Sequence, residues 1–211
     1  MLLAFVVAVF LVIYGKEQSF HVINRYNGPA FDYVFRYWTY LGHGMIWVPL
    51  VLYSLFYKRD FLIALLVAGV ICALFTQGGK RFIFPDELRP VLAIGREKIR
   101  IVEGITPHTN NSFPSGHTST AFTLALLAAY IVRGRFWIYF FPLVAFLVGY
   151  SRVYLAHHFV SDVFAGMLIG ILSSYIALLI YNKFVNRRSR LAEQHNETLP
   201  DDALPERQEM P

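Results

Sequence analysis

The sequence predicts an all-α fold: a polytopic membrane helix bundle of six transmembrane helices, with interfacial helices on its outer face. Three observations predict it. Hydrophobic residues make up 56% of the 211 and aromatic residues 17%, against about 45–50% apolar residues in a soluble domain. They arrive in blocks separated by short charged turns, the pattern of successive membrane crossings. The formal net charge is +5. In such a chain basic residues first signal orientation and contacts with anionic lipid or phosphate, not nucleic acid. The one cysteine, Cys72, lies inside an apolar block, so no intramolecular disulfide forms.

Residues 1–14 form the first apolar run. It has no basic leader and no A-x-A cleavage site, so it reads as an uncleaved membrane segment and not a signal peptide. It is short against the roughly 20 residues of a crossing; either it continues obliquely past Gly15 or the true start lies upstream. Residues 15–44 carry Phe31, Val34, Phe35, Trp38 and Leu41 at helical intervals, broken at Asn27-Gly28-Pro29. They read as an interfacial amphipathic helix packed on the bundle. Residues 46–57 are the second span, Lys58-Arg59-Asp60 a charged turn, and residues 61–76 the third span. A polar loop, 77–111, holds Lys80, Arg81, Arg89, Arg96, Lys98 and Arg100. Residues 118–132 are the fourth span, closed by Arg133-Gly134-Arg135; 136–150 are the fifth and 163–181 the sixth. The membrane domain is therefore 1–182. Residues 183–211 form a polar cytoplasmic tail that reads as disordered.

Short-loop charges orient this layout. Six crossings put the N-terminus, Lys58-Arg59, Arg133/Arg135 and Arg187-Arg188 on one side, the cytoplasmic one. The 77–111 loop then faces outward although it too is basic. An anion bound by that loop explains the exception.

The crossing order brings three pieces to this outer surface. Asn111-Ser112-Phe113-Pro114-Ser115-Gly116-His117 is a small polar turn at the head of the fourth span. Its Ser115 and His117 supply a hydroxyl and an imidazole. Backbone N–H groups of the following helix point back into it, which makes an anion site. Lys80 and Arg89-Pro90 follow the third span. Between the fifth and sixth lies Ser151-Arg152-Val153-Tyr154-Leu155-Ala156-His157-His158-Phe159-Val160-Ser161-Asp162. His158 and Asp162 are four apart and share a helix face. A carboxylate there accepts from one ring nitrogen and leaves the other free as a nucleophile. Arg152 offers a planar fork to phosphate oxygens. Each residue also has an ordinary use: Asp162 as a helix cap, His158 as a structural ring, Arg152 as a snorkelling anchor. His157, with Ser161 at i+4, is the rival of His158. His108 reads as loop filler and His43 as an interfacial histidine; Tyr154 suits the core and the pocket equally.

These residues carry a resemblance to the type 2 phosphatidic acid phosphatase (PAP2) superfamily, whose motifs are KxxxxxxRP, PSGH and SRxxxxxHxxxD. The second is Pro114-Ser115-Gly116-His117; the third is Ser151-Arg152 with His158 and Asp162 at full spacing. In the first, Arg89-Pro90 is present, but Lys80 lies two residues too far upstream and Arg81 one. Lys80 is given the phosphate-contact role, with a bulge or an extra turn to bring it into reach. The resemblance implies that His158 attacks phosphorus and forms a phosphohistidine. It implies that Asp162 orients His158 and that His117 protonates the leaving oxygen. Lys80, Arg89, Ser115, Gly116 and Arg152 would cradle the phosphoryl oxygens. No cofactor and no metal are implied.

A site at head-group height points to a lipid phosphomonoester or diphosphate. Undecaprenyl diphosphate, phosphatidylglycerol phosphate, phosphatidic acid and lipid A phosphate are the candidates, in a bacterial inner membrane with the site facing the periplasm. A vanadium-dependent haloperoxidase would share the anion pocket, but those are generally soluble. A phosphotransferase and a non-catalytic lipid-phosphate binder or transporter are the other rivals.

Overall fold

The computed structural model describes residues 2–26, 28–132 and 134–197, with side chains to residue 191. Asn27 and Arg133, each expected in a turn, lie outside the described residues, as does the expected tail from 198 onward. Eight α-helices follow in order: α1 Leu2–Asn24, α2 Pro29–Trp38, α3 Trp47–Tyr57, α4 Arg59–Gly78, α5 Pro90–Ala93, α6 Gly116–Val132, α7 Arg135–Tyr154 and α8 Val160–Glu197. No strand occurs among the described residues.

Among the described residues, four helices are long and apolar enough to cross a membrane: α1, α4 with its C-terminal extension to Ile83, α7, and α8 as far as Leu191. A fifth is counted if Pro29–Gly42 and Gly44–Tyr57, bent by 56°, form one broken crossing. α6 is apolar too but has 17 residues. The expected second span, 46–57, is thus only the later limb of that bent pair. α1 does run past Gly15, where φ of 69° marks a break between two helical limbs. Glycine tolerates that backbone without a Cβ clash. α8 departs from expectation at its other end. It stays helical through Glu197, so the chain from Lys183 to that point is not the disordered tail read from its polarity. Arg188 on α8 pairs with Asp60 on α4 at 2.7 Å, which puts those basic ends at one end of the bundle.

α6 is the central element and packs on α4, α7 and α8. One apolar cluster joins Val7 and Phe20 of α1, Phe122 of α6, Val148 of α7 and Met167 of α8. A second joins Phe61 and Leu65 of α4, Leu127 of α6 and Ala177 of α8. Small residues bring α6 against α8. A Cβ on Gly166 would stand 2.6 Å from the Ser115 carbonyl, and one on Gly170 would stand 2.6 Å from Phe122 Cβ and 2.7 Å from the Ser119 carbonyl. Close approach of backbones is how helices associate where lipid removes the hydrophobic drive. The buried hydroxyls of Ser119 and Thr123 are satisfied one turn back, by the carbonyls of Ser115, just before α6, and Ser119.

Gly→Ala inside a helix ordinarily stabilises by about 1 kcal/mol. Gly78 has open space around it, so Gly78→Ala should raise the thermal midpoint in detergent. Gly170→Ala should lower it by about 5 °C, because overpacking costs about 1–3 kcal/mol. Equal shifts for the two would contradict the packing described.

Candidate active site

Close packing of α6 on α8 decides where the site forms. With Gly166 under the Ser115 carbonyl, the Ser115 amide reaches the Asp162 carbonyl at 3.0 Å. The Pro114-Ser115-Gly116-His117 turn and the first turn of α8 are thereby joined through backbone. α4 arrives from the other side and ends in a π-turn, Gly79–Ile83. A Cβ on Gly79 would sit 3.0 Å from Pro114 Cδ, so this turn rests on the proline. A π-turn accommodates one more residue than an α-turn, and it delivers Lys80 to the cleft while Arg81 stays exposed.

Asp162 is fully buried, and donors surround its carboxylate. Ser112 Oγ donates to Oδ2 at 2.5 Å and the Phe159 amide at 3.0 Å. Ser161 Oγ donates to Oδ1 at 3.2 Å. His158 Nδ1 stands 3.3 Å from Oδ2. The other ring nitrogen, Nε2, stands 3.3 Å from Arg89 Nη1. A guanidinium only donates, so Nε2 is the unprotonated nitrogen and Nδ1 carries the hydrogen toward Asp162. That tautomer presents a lone pair for attack. Burial first, then the charges of Arg89, Arg152 and Lys80, hold the His158 ring well below the ordinary imidazole range, so it stays neutral.

His158 is not on the helix that carries Asp162. It sits in the turn between α7 and α8, where the amides of His157 and His158 both donate to the Arg152 carbonyl, at 2.9 and 3.2 Å. Ala156 takes φ of 57° in this turn, a left-handed conformation that costs a non-glycine residue about 1–2 kcal/mol. The strain is offset by the contacts that turn the ring back onto Asp162.

Arg89 is buried and held by three carbonyls: Asn110 at 2.9 Å, His157 at 2.9 Å and Asn111 at 3.5 Å. Its segment of the loop is tied to the next, with Arg89 N donating to Thr109 O at 2.8 Å and Ser112 N to Glu87 O at 2.9 Å. Arg152 donates from Nη1 to Thr39 Oγ1 at 2.7 Å, while its buried Nε has no partner. The loop's other charges are spent differently. Arg100 pairs with Asp32 at 2.5 Å, so the basic character of the 77–111 loop does not mean that every cation serves an anion.

Lys80, Arg89, Gly116, His117, Arg152 and His158 line one cleft of about 620 Å³. Ser115 and Asp162 stand behind it. The Ser115 hydroxyl is buried and accepts from Thr118 Oγ1 at 2.9 Å, which holds the turn's shape. His157 is also buried, and its contribution is its carbonyl. Tyr154 packs in the core on Phe35 and donates to Asp32 at 2.5 Å. His108, read as loop filler, lines the cleft, as does His43. Ser112 and Thr39 carry no motif signal because their partners lie far along the chain. Among the described residues no group of three or more His, Cys, Asp or Glu is placed to hold a metal.

Ser112 should act through Asp162 and not on the substrate. Ser112→Ala should lower kcat about 10-fold with KM nearly unchanged, since a hydrogen bond to a charged group is worth about 1.5–3 kcal/mol. Ser112→Thr should restore most of it. A loss confined to KM would place Ser112 elsewhere.

Residues 57–186 match the model of the PAP2 superfamily. The lipid A 4'-phosphatase of Porphyromonas gingivalis is 27% identical over 180 residues, covering 83% of this chain and 75% of that one. The undecaprenyl-diphosphatase of Sulfolobus acidocaldarius is 25% identical over 190 residues, covering 85% of this chain and 88% of that one. Among solved structures, Aquifex aeolicus LpxE superimposes with a TM-score of 0.69 at 32% identity, over 77% of this chain and 94% of that one. With the family model spanning more than half its length, this helical membrane protein belongs to the PAP2 superfamily and is a phosphatase.

Proposed function

We propose that the protein hydrolyses a lipid phosphomonoester or diphosphate through a phosphohistidine on His158. The observation that carries this reading is the shape of the cleft. Its polar end holds Lys80, Arg89, His117, Arg152 and His158, and it continues along Trp47, Val51, Leu65, Leu66 and Val70 of α3 and α4. A phosphate at one end and a hydrocarbon chain along the other match that division. Lipid A 4'-phosphate and undecaprenyl diphosphate, named for two relatives, both have this form.

In the proposed reaction the His158 Nε2 lone pair attacks phosphorus and the bond to the leaving oxygen breaks. His117 gives that oxygen a proton. The phosphoryl group passes to Nε2 while Lys80, Arg89, Arg152 and the Gly116 amide hold its oxygens, where transition-state charge spreads. Asp162 stabilises the ring as it becomes positive. His117, now unprotonated, takes a proton from water; the water attacks phosphorus and the P–N bond breaks. Inorganic phosphate leaves and both imidazoles return to their starting states.

We place six crossings in the membrane: α1, the bent pair, α4, α6, α7 and α8. Their order puts the cleft at the periplasmic surface of a bacterial inner membrane, with residues 183–211 on the cytoplasmic side. Arg188 and Asp60, paired at 2.7 Å and not among the residues lining the cleft, support that sidedness.

Turnover of purified protein against a panel of lipid phosphates, with and without EDTA, tests the reading. Wild type should release phosphate with chelator present, and His158→Ala should release none while still binding product. Lys80→Ala should lower kcat/KM about 100-fold, whereas Arg81→Ala should stay within about 3-fold. Near-normal turnover by His158→Ala would remove the proposed nucleophile.

A further inference from the structure

His43 occupies a place that the reaction as written leaves unused. It is the single residue between Pro29–Gly42 and Gly44–Tyr57, at the apex of their 56° bend. Gly42 sets its position. A Cβ there would stand 2.5 Å from the His117 carbonyl oxygen and 2.7 Å from Val148 Cγ1. The hinge backbone is therefore pressed on the first turn of α6, and His43 is indexed to His117 by main chain. The two rings lie 5.6 Å apart at 71°, and both line the cleft. His43 Nδ1 accepts from the Met45 amide at 3.3 Å, so in the neutral ring the hydrogen sits on Nε2. That Nε2 has no hydrogen-bond partner among the described residues.

Resting on the function proposed above, we propose that His43 is the binding group for a lipid diphosphate: its Nε2–H donates to a non-bridging oxygen of the phosphate that departs with the lipid. Charge distribution points the same way. Arg89 contacts His158 directly, so one guanidinium already serves the phosphoryl group under attack. His43 instead adjoins His117, the donor to the leaving oxygen. When a monophosphate ester is cleaved, the leaving group is an alkoxide with no second phosphate beside His43. When a diphosphate is cleaved, the terminal P–O bridge breaks, His117 protonates the bridging oxygen, and two non-bridging oxygens that share one negative charge remain on the departing phosphate. A donor held one ring away from His117 meets one of them.

The test compares a polyprenyl diphosphate with the polyprenyl monophosphate of the same chain length, on the full chain in detergent. His43→Ala should lower kcat/KM for the diphosphate about 10–30-fold and for the monophosphate by less than about 3-fold. His43→Gln, which keeps an N–H donor, should recover part of the loss. The His43 ring is exposed, so truncation opens no core cavity, and the Gln variant gives the same ratio if Ala proves unstable. Equal losses on both substrates, no loss on either, or wild type that cleaves only the monophosphate would overturn the assignment. Wild type that cleaves neither this pair nor any other lipid phosphate would instead sink the proposed function, and this inference with it.

Discussion

The buried carboxylate of Asp162 is the constraint around which the site is assembled. Its oxygens collect Ser112 from the turn before α6, Ser161 from the first turn of α8, and the His158 ring and the Phe159 amide from the inter-helix turn. Its main-chain carbonyl takes the Ser115 amide. Burying a carboxylate is costly unless donors replace water. Here the donors come from two segments, the turn that holds Ser112 and residues 158–161, so satisfying one charge fixes the two in register. The α6–α8 glycines serve the same end. Without close approach at Gly166, the Ser115 amide could not reach α8.

A second constraint is the gathering of cations with few carboxylates near them. Arg89 is tied by backbone carbonyls, and Arg152 by Thr39 with its Nε unmatched. Carbonyls and hydroxyls orient a guanidinium without neutralising it. The cluster therefore keeps a net positive field, which favours an anion and keeps the His158 ring neutral. Orientation paid in advance is what makes such a site effective for phosphoryl transfer. The pairing of Arg100 with Asp32 and of Arg36 with the Glu103 carbonyl has a different use. It anchors the far side of the 77–111 loop to α2, so that the Arg89 segment keeps its place.

Much of this was legible in the chain, for reasons that differ by residue. Apolar blocks announced helices because membrane crossings demand length and composition. Convergence of three loops followed from counting crossings, and the structure gathers Lys80, Arg89, His117, Arg152 and His158 on one cleft. The His158–Asp162 contact was read from i,i+4 spacing, but the backbone between them is a turn entering a helix, with Ala156 left-handed. Spacing predicted the contact and missed the conformation. The offset of Lys80 from Arg89 has its counterpart in the π-turn Gly79–Ile83. Ser112, Thr39 and His43 were not legible as site residues. Ser112 and Thr39 meet partners 50 and 113 residues away. His43 depends on a bend at which Gly42 presses on the first turn of α6. Local pattern carries no record of such pairings. Helix α8 runs on past its apolar stretch because Lys183 to Glu197 contains no helix breaker, although polarity alone suggested a tail.

In the proposed reaction, Asp162 and Arg89 together make Nε2 of His158 the nucleophilic nitrogen. Rapid alkaline quench during turnover, followed by peptide mass spectrometry and phosphorus NMR, tests it most directly. The expected result is an acid-labile, alkali-stable phosphate on His158, attached at Nε2 and formed at a rate no slower than turnover. Phosphate on His117 or His157, attachment at Nδ1, or turnover with no phosphoenzyme that forms fast enough would contradict it.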